Sequence, residues 1–288
     1  MNRPVLPASI ILASCNRPQM LTDTVDSILA GESVPAELIV VDQSDRPLRR
    51  TWPGEVRYLW SESRGLSRAN NLGARLARHE ILVFTHDDVL VSPDWLAQLL
   101  GALEREGARM VVTGRVLPAE PEGPNGFAPS TNVSTVPAVY EGRKGRDVLW
   151  PMNMALRAPA LAAVGGFDER LGPGTPYPAA EDNDLCHRLL EAGHRIVFDP
   201  APVVWHRAWR PREECSALRY AYGRGQGAFY AKHLELRDSY MLRRLAGDVL
   251  GRLTRLPFRR GRPPRDEIAY VRGVLSALWD WQSWERRP

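Results

Sequence analysis

Several features that would place this chain in a familiar class are missing from it. Its 288 residues include three cysteines, which form no CxxC pair and no even-numbered framework, so we expect reduced thiols. No apolar run approaches the roughly 18 residues that a membrane-spanning helix needs, and the N-terminus lacks the pattern of a secretory signal. There is no GxxxxGK(S/T) and no GxGxxG, so neither a P-loop NTPase nor a dinucleotide dehydrogenase is supported. These absences predict a cytoplasmic protein.

Charge of one sign is concentrated at one end of the chain. The net charge is +4, but residues 216–288 carry 15 basic and 7 acidic side chains, whereas the first 215 residues carry 23 and 27. An acidic body followed by a basic segment predicts that the segment meets an anionic partner, such as a membrane surface or a nucleic acid. Because no nucleic-acid reading motif accompanies the charge, we expect no nucleic-acid partner.

The basic segment also has a helical pattern. In the predicted helix 239–256, Met241, Leu245, Val249 and Leu253 recur at i, i+4 spacing with arginines elsewhere. That pattern is typical of a helix lying on an anionic membrane surface, and it is equally that of a solvated helix covering the domain. Both interpretations stay open on the sequence alone.

Apolar runs alternate with helical spacing in the first hundred residues. Strands are predicted at 8–14, 37–42, 56–60 and 80–85, and helices at 20–31, 65–78 and 94–106. Near-continuous apolar strands separated by helices indicate a parallel sheet covered on both faces. Ligands of such sheets bind outside the carboxyl ends of the strands, where Ser14, Asp42 and the run His86-Asp87-Asp88 would gather.

Three groups of side chains are candidates for chemistry. Asp87 and Asp88 form a hard-oxygen pair suited to Mg²⁺ or Mn²⁺, or they belong to a strand-end turn that caps a helix. Glu181 and Asp182 open a predicted helix, either as dipole-stabilised capping residues or as a general base. His206 ends the apolar run PVVWH and is either structural or a ligand of the same metal.

A fourth group occupies the run GLSRANNLG. Arg68, Asn70 and Asn71 are either a solvated helix face or, beside a phosphate-binding edge, contacts to a pyrophosphate.

In this order, the motifs resemble those of glycosyltransferase family 2 enzymes of GT-A fold. The resemblance spans residues 8–206 and is carried by SIILASCNRPQMLTDTVDSIL, ELIVVDQSD, RGLSRANNLG, VFTHDDVLVSPDWL, VGGFDERL, EDNDLCHRLLEAGHRI and VVWH. It implies an α/β fold with a Rossmann-like, mostly parallel sheet flanked by helices. We expect a transferase domain at 1–215, with a nucleotide-sugar half at 1–115 and an acceptor half at 116–215, followed by a basic helical extension at 216–288.

The resemblance also implies a reaction and a set of roles. A sugar would pass with inversion from a UDP, dTDP or GDP donor to a hydroxyl of a glycan or lipid-linked acceptor. Asp182 resembles the catalytic base, with Glu181 orienting it, and Asp88 and His206 resemble ligands of a divalent metal, Mn²⁺ or Mg²⁺. The residues expected at the donor are Ser14, Asn16, Arg17, Asp42, Arg68, Asn71 and Asp87.

Two departures from the family pattern bear on these roles. His86 stands where many members have another Asp, which leaves open whether it contacts the metal. Asn70 stands where many have Arg, so the phosphate contact has moved to Arg68 or is absent.

Two other functions are alternatives to a glycosyltransferase. A nucleotidyltransferase should begin with a Gly-rich basic loop, where this chain has SCNRPQM. A non-catalytic nucleotide-sugar or membrane-binding module would lose the later carboxylates, which are present here.

Overall fold

The computed structural model describes residues 3–107, 109–120, 126–255 and 264–284. The strands are β1 (Val5–Ser14), β2 (Val34–Asp42), β3 (Val56–Trp60), β4 (Ile81–His86), β5 (Val89–Val91), β6 (Met110–Pro118), β7 (Gly126–Phe127), β8 (Ala138–Tyr140), β9 (Met154–Arg157), β10 (Arg195–His206) and β11 (Arg210–Pro211). The helices are α1 (Pro18–Leu29), α2 (Leu66–Leu76), α3 (Trp95–Glu106), α4 (Ala158–Ala163), α5 (Glu181–Glu191), α6 (Cys215–Glu235), α7 (Tyr240–Arg255) and α8 (Pro264–Trp284).

A single large sheet organises the first 206 residues. Its strand order is β3-β2-β1-β4-β9-β6-β10-β5, with β8 paired to β10. The four strands β3, β2, β1 and β4 are mutually parallel, as are β6 and β10. The strand β9 runs antiparallel between β4 and β6, so the sheet is parallel in its first half and mixed in its second.

Both faces of the sheet are covered, as the apolar strands predict. In β1, Ile10 and Leu12 belong to one core cluster, while Ile11 belongs to a second cluster on the opposite face. Helix α2 approaches β1 so closely that a Cβ atom at Gly73 would lie 2.5 Å from the Ile11 side chain. The predicted α/β class with a sheet between helical layers is therefore confirmed.

The second half of the sheet departs in detail from the sequence prediction. Two short strands were expected at RIVFD and PVVWH, but they form one strand, β10, with an irregularity between Phe198 and Val203. This irregularity follows from Pro200 and Pro202, which have no backbone N–H to donate to a ladder. The predicted long loop 118–137 contributes β7, which pairs with β11.

Helix α6 packs unusually close to two neighbours through its glycines. A Cβ atom at Gly223 or Gly227 would lie 2.0 or 2.4 Å from a carbonyl oxygen of α8. A Cβ at Gly225 would lie 2.4 Å from the carbonyl oxygen of Ala179, just before α5. The run GRGQG therefore lets α6 contact both α8 and the start of α5, so this part of the basic extension packs against the α/β domain.

Three of the four residues of the apolar face predicted for the helix 239–256 are turned inward. Met241 is fully buried in a cluster with residues of α6 and α8, Leu245 and Val249 pack against the same cluster, and Leu253 is 40% exposed. The three inward residues therefore cover the core rather than a membrane, because the periodicity alone did not identify what this side of the helix packs against; membrane attachment of the basic helices stays a prediction. Among the described residues, no helix combines the length and the apolar character needed to cross a membrane.

A buried ion cluster joins α5 to α6. Asp184, whose side chain is completely buried, accepts hydrogen bonds from Lys232 Nζ at 2.6 Å, His233 Nε2 at 2.9 Å and Arg188 Nε at 2.7 Å. Lys232 also contacts Asp168 at 2.7 Å. Burial opposes ionisation of Asp184, but His233, Arg188 and Lys232 outweigh it and lower the pKa of this carboxyl. The cluster therefore holds α5 against α6.

Replacing Asp184 by Asn should lower the free energy of unfolding by roughly 3 kcal/mol, because the change leaves buried cations without their counter-ion. Urea denaturation at pH 7 measures this loss. Since the pKa of Asp184 is lowered by folding, its contribution is present at neutral pH and is lost as the pH falls below about 4. The matched control is Asp26→Asn, which breaks an exposed pair with Arg50 and should cost less than about 1 kcal/mol. Equal losses in the two variants would contradict the role of the cluster.

Candidate active site

A cavity of about 660 Å³ opens at the carboxyl edge of the sheet. Its walls include the ends of β1, β4 and β10, the start of α5, and side chains of α6, α7 and α8. The volume lies in the range of small-molecule sites in proteins. Because the lining comes from both ends of the sequence, the cavity brings together the early and late carboxylates that the sequence separates.

The early carboxylates have a cation between them. Arg17 Nη1 lies 3.1 Å from Asp87 Oδ1 and 2.7 Å from Asp88 Oδ2, and Ser14 Oγ donates to Asp87 Oδ2 at 2.8 Å. Both carboxylates are buried. Arg17 is thus the charge partner that keeps two adjacent acids together in a poorly solvated place.

The two members of this pair ionise differently. Burial raises the pKa of Asp87 to about 6, against the opposing effect of Arg17. Burial also opposes ionisation of Asp88, but the hydrogen bonding and charge of His206, with His86 and Arg17, outweigh it and lower its pKa. Asp88 is therefore the anionic member of the pair at neutral pH, which suits a metal ligand.

The surroundings of Asp88 and His206 fit a divalent metal. His206 Nδ1 lies 3.2 Å from the carbonyl oxygen of Pro129, which accepts its proton and turns Nε2 toward Asp88. That Nε2 lies 3.5 Å from Asp88 Oδ1, a buried atom with no short hydrogen bond in the described chain. The place between the two atoms suits a cation: a proton on Nε2 when the imidazole is protonated, or a divalent metal bound to both atoms when it is neutral.

The protein supplies few ligands to such a cation. No group of three or more His, Cys, Asp and Glu side chains in the described ranges is arranged to hold a metal. A site with two protein ligands suits Mg²⁺ or Mn²⁺, which usually keep waters and take oxygens from substrate phosphates.

The late carboxylates stand at the first turn of α5. Ala180 before them has a left-handed φ of 69°, and Asp182 Oδ1 accepts the backbone N–H of Asn183 at 2.8 Å. Burial raises the pKa of Glu181 to about 7, and burial with the charges of Glu181 and Asp147 raises that of Asp182. A carboxyl group that holds a proton more tightly than usual is a stronger base once ionised.

The protein's relationships agree with this geometry. The family model for glycosyl transferase family 2 matches residues 9–165, more than half of the chain. The chain belongs to glycosyl transferase family 2.

A curated relative and two solved structures extend this assignment. The glucosyl-dolichyl phosphate glucuronosyltransferase of Haloferax volcanii is 26% identical over 215 residues, which cover 70% of this chain and 68% of the relative. The mannosyltransferase PcManGT of Pyrobaculum calidifontis, solved with GDP-Man and Mn²⁺, has a TM-score of 0.55 at 16% identity and covers 98% of this chain and 83% of its own. GalNAc-T7, solved with UDP, GalNAc and Mn²⁺, has a TM-score of 0.55 at 18% identity.

The matches differ in how much of each relative they cover. The GalNAc-T7 comparison covers 80% of this chain but 51% of that one. Two other curated relatives are longer, and the chain covers 16% and 36% of them. The structural likeness shows that this glycosyltransferase has the predicted GT-A fold.

Seven of the predicted site residues of this glycosyltransferase line the cavity. They are Ser14, Arg17, Asp87, Asp88, Glu181, Asp182 and His206. His86, whose role the sequence left open, also lines it, and burial lowers its pKa to about 4, so it is neutral at physiological pH.

Four predicted donor residues lie outside the cavity lining. Arg68 Nε lies 3.5 Å from Glu169, and Asn71 exchanges hydrogen bonds with the backbone of Phe167. Asn16 bonds Ser44 and Asp45, and the carboxylate of Asp42 accepts hydrogen bonds from Tyr58 and Ser44. These four residues form hydrogen bonds or ion pairs with other groups of the protein.

Other residues of this glycosyltransferase line the cavity that the sequence reasoning missed. Arg64 lines the cavity, whereas the predicted Arg68, four positions later, does not. Arg64 follows β3, whose carboxyl end lies on the same edge of the sheet. Asp147 also lines the cavity and forms an ion pair with Arg244 of α7. Position on the strand-end edge was the signal for Arg64, whereas no sequence motif marks Asp147.

The pH dependence of the free energy of unfolding should reveal the raised pKa of Glu181. Since its pKa is raised by folding, the unfolded state loses this proton first, and stability falls as the pH rises from about 4 to 7. Glu181→Gln removes this loss, so the stability of the variant relative to the parent should increase by roughly 1–3 kcal/mol between pH 5 and 8. Urea titrations across that range measure it. Glu80→Gln, an exposed carboxyl, is the control; a flat difference for both variants would refute the prediction.

Proposed function

We propose that this glycosyltransferase moves a sugar with inversion from a nucleotide-diphosphate donor to an acceptor hydroxyl, assisted by a divalent metal and a carboxylate base. The observation that carries the proposal is the meeting of two separate carboxylate pairs in one cavity, Asp87-Asp88 and Glu181-Asp182. The two structural relatives, one solved with GDP-Man and Mn²⁺ and the other with UDP, GalNAc and Mn²⁺, support it. The intact second pair favours an enzyme over a binding module.

The donor side follows from the early carboxylates and two arginines. Asp88 and His206 would hold the metal, which when bound stabilises negative charge on the leaving diphosphate. Arg17 and Arg64 line the same cavity, and guanidinium groups suit phosphate oxygens. Arg64 is already oriented by Asp45 and the carbonyl oxygen of Gln43.

The acceptor side follows from the late carboxylates. An acceptor hydroxyl is a weak nucleophile until a carboxylate removes its proton, and we assign this role to Asp182. Glu181, Asn183 and Gln226 line the cavity beside it, and Asn183 Nδ2 donates to Gln226 Oε1 at 2.6 Å. That bond links α5 to α6 at the place where an acceptor would be oriented. The acceptor would be a glycan or a lipid-linked sugar, met at the inner face of the plasma membrane.

Donor binding is tested by thermal stabilisation with UDP, dTDP and GDP, each with and without Mn²⁺. We expect one nucleotide to stabilise the protein, and only when Mn²⁺ is present. Asp88→Asn should weaken this Mn²⁺-dependent binding at least tenfold, because the anionic ligand becomes neutral. Asp26→Asn, an exposed carboxyl, should bind like the parent protein. Equal binding with and without Mn²⁺ would refute the metal assignment.

The base assignment is tested by Asp182→Asn. The variant should lose at least a hundredfold in kcat with a donor and acceptor that the parent uses, because the amide cannot take the proton. Donor affinity, measured by calorimetry, should stay within about threefold of the parent value. Turnover comparable to that of Asp26→Asn would exclude Asp182 as the base.

A further inference from the structure

Helices α7 and α8 each expose apolar side chains on the side turned away from the core. We call the exposed residues of the two helices together the outer face. On α7 it comprises Leu242, Arg243, Ala246, Gly247, Leu250, Leu253 and Thr254, and on α8 Pro264, Arg265, Ile268, Arg272, Leu275 and Trp279. Trp279 is 84% exposed, and Leu242, Leu250 and Leu275 are each more than half exposed. Such a concentration of large exposed apolar side chains marks an interaction surface.

The outer face has a stripe of apolar residues on each helix. On α8, Ile268, Leu275 and Trp279 lie at i, i+7 and i+11, and on α7, Leu242, Leu250 and Leu253 lie at i, i+8 and i+11. These spacings place each set on one side of its helix. Both stripes lie on regular helices, so their positions follow from helical geometry rather than from a loop.

Every charge on the outer face is positive. Arg243, Arg265 and Arg272 are exposed, and no acidic residue is among the outer-face residues. Within the described ranges, the ion-pair contact of Arg265 is one of 3.9 Å with the neighbouring Asp266.

The acids of these two helices are buried or paired. Asp248 pairs with Arg252 at 2.7 Å, Glu267 with Arg252 at 2.8 Å, and the half-exposed Asp280 with Arg224 at 2.7 Å. Asp266 is buried and accepts a hydrogen bond from Ser216. The exposed residues that make up the outer face are therefore apolar, small or cationic.

We infer that the outer face lies on an anionic lipid bilayer. Leucine, isoleucine and tryptophan side chains gain free energy at the boundary of headgroups and acyl chains, and arginines gain it from anionic headgroups. A nucleic acid would use the arginines but not the exposed aliphatic side chains. A second copy of the chain, docked by a two-fold axis on the same face, would bring arginines against arginines.

The inference rests on the proposed function, which places the acceptor at a membrane. The outer-face residues themselves do not line the catalytic cavity. Arg252 and Tyr270, on the inner sides of α7 and α8, line that cavity. The same two helices therefore contact both the active site and the surface that we assign to the bilayer. A bilayer on the outer face would therefore bring an acceptor anchored in it to the same two helices that line the cavity.

Vesicle flotation tests the inference without turnover, so a failure of the proposed reaction and a failure of lipid binding are separate results. The protein should float with vesicles of phosphatidylcholine and phosphatidylglycerol at 7:3 and bind at least tenfold less to pure phosphatidylcholine. Binding should weaken as NaCl is raised, because salt screens exposed charges. Absence of flotation with the anionic vesicles would overturn the inference.

Two variants separate the apolar and the cationic contributions. Leu275→Ser with Trp279→Ser should lower the partition coefficient at least tenfold. Arg243→Gln, Arg265→Gln and Arg272→Gln together should lower it at least tenfold on anionic vesicles, since each arginine near such a surface contributes about fivefold. All five side chains are exposed, so the thermal unfolding midpoint should not change.

Matched controls carry the same substitutions elsewhere on the surface. Val5→Ser with Val139→Ser removes exposed apolar side chains, and Arg46→Gln, Arg49→Gln and Arg75→Gln remove exposed arginines. Both controls should bind vesicles like the parent protein. Equal losses in controls and outer-face variants would refute the assignment. So would a dimer, measured by light scattering, that dissociates on Leu275→Ser with Trp279→Ser.

Discussion

The buried carboxylate of Asp184 is the constraint on which the active site depends. It is completely enclosed, and it is held ionised by Lys232 of α6 and Arg188 of α5 together with a hydrogen bond to His233 of α6. An ionised carboxylate in such a place is tolerated only while its partners are present, so α5 and α6 cannot separate without a large cost. Asp182 lies two residues earlier, and its position therefore depends on the C-terminal helices.

Environment separates the chemistry of carboxylates that look alike in sequence. Asp88 is buried beside His206 and Arg17, and its pKa is lowered. Asp182 is buried beside other acids, Glu181 and Asp147, and its pKa is raised. Opposite neighbours thus suit one carboxylate to a cation and the other to a proton, as the proposed function requires of a single cavity.

The limits of sequence reasoning show at particular residues. Arg64 and Arg68 lie four residues apart, and only the path of the chain between β3 and α2 decides that Arg64 reaches the cavity. In α7, the buried stripe through Met241 and the exposed stripe through Leu242 are both apolar, so periodicity could not say which one packs inward. Asp147 lines the cavity only because Arg244, nearly a hundred residues later, folds back onto it.

The sequence by itself determined the α/β fold, the order of its early strands and helices, and the gathering of Ser14, Asp87 and Asp88 at one sheet edge, since these follow from local periodicity and from the direction of parallel strands. Tertiary structure alone decided which cations partner the acids and which helix faces are covered. Those outcomes depend on contacts between residues far apart in the chain, and a local pattern carries no information about the partner on the other side of a contact.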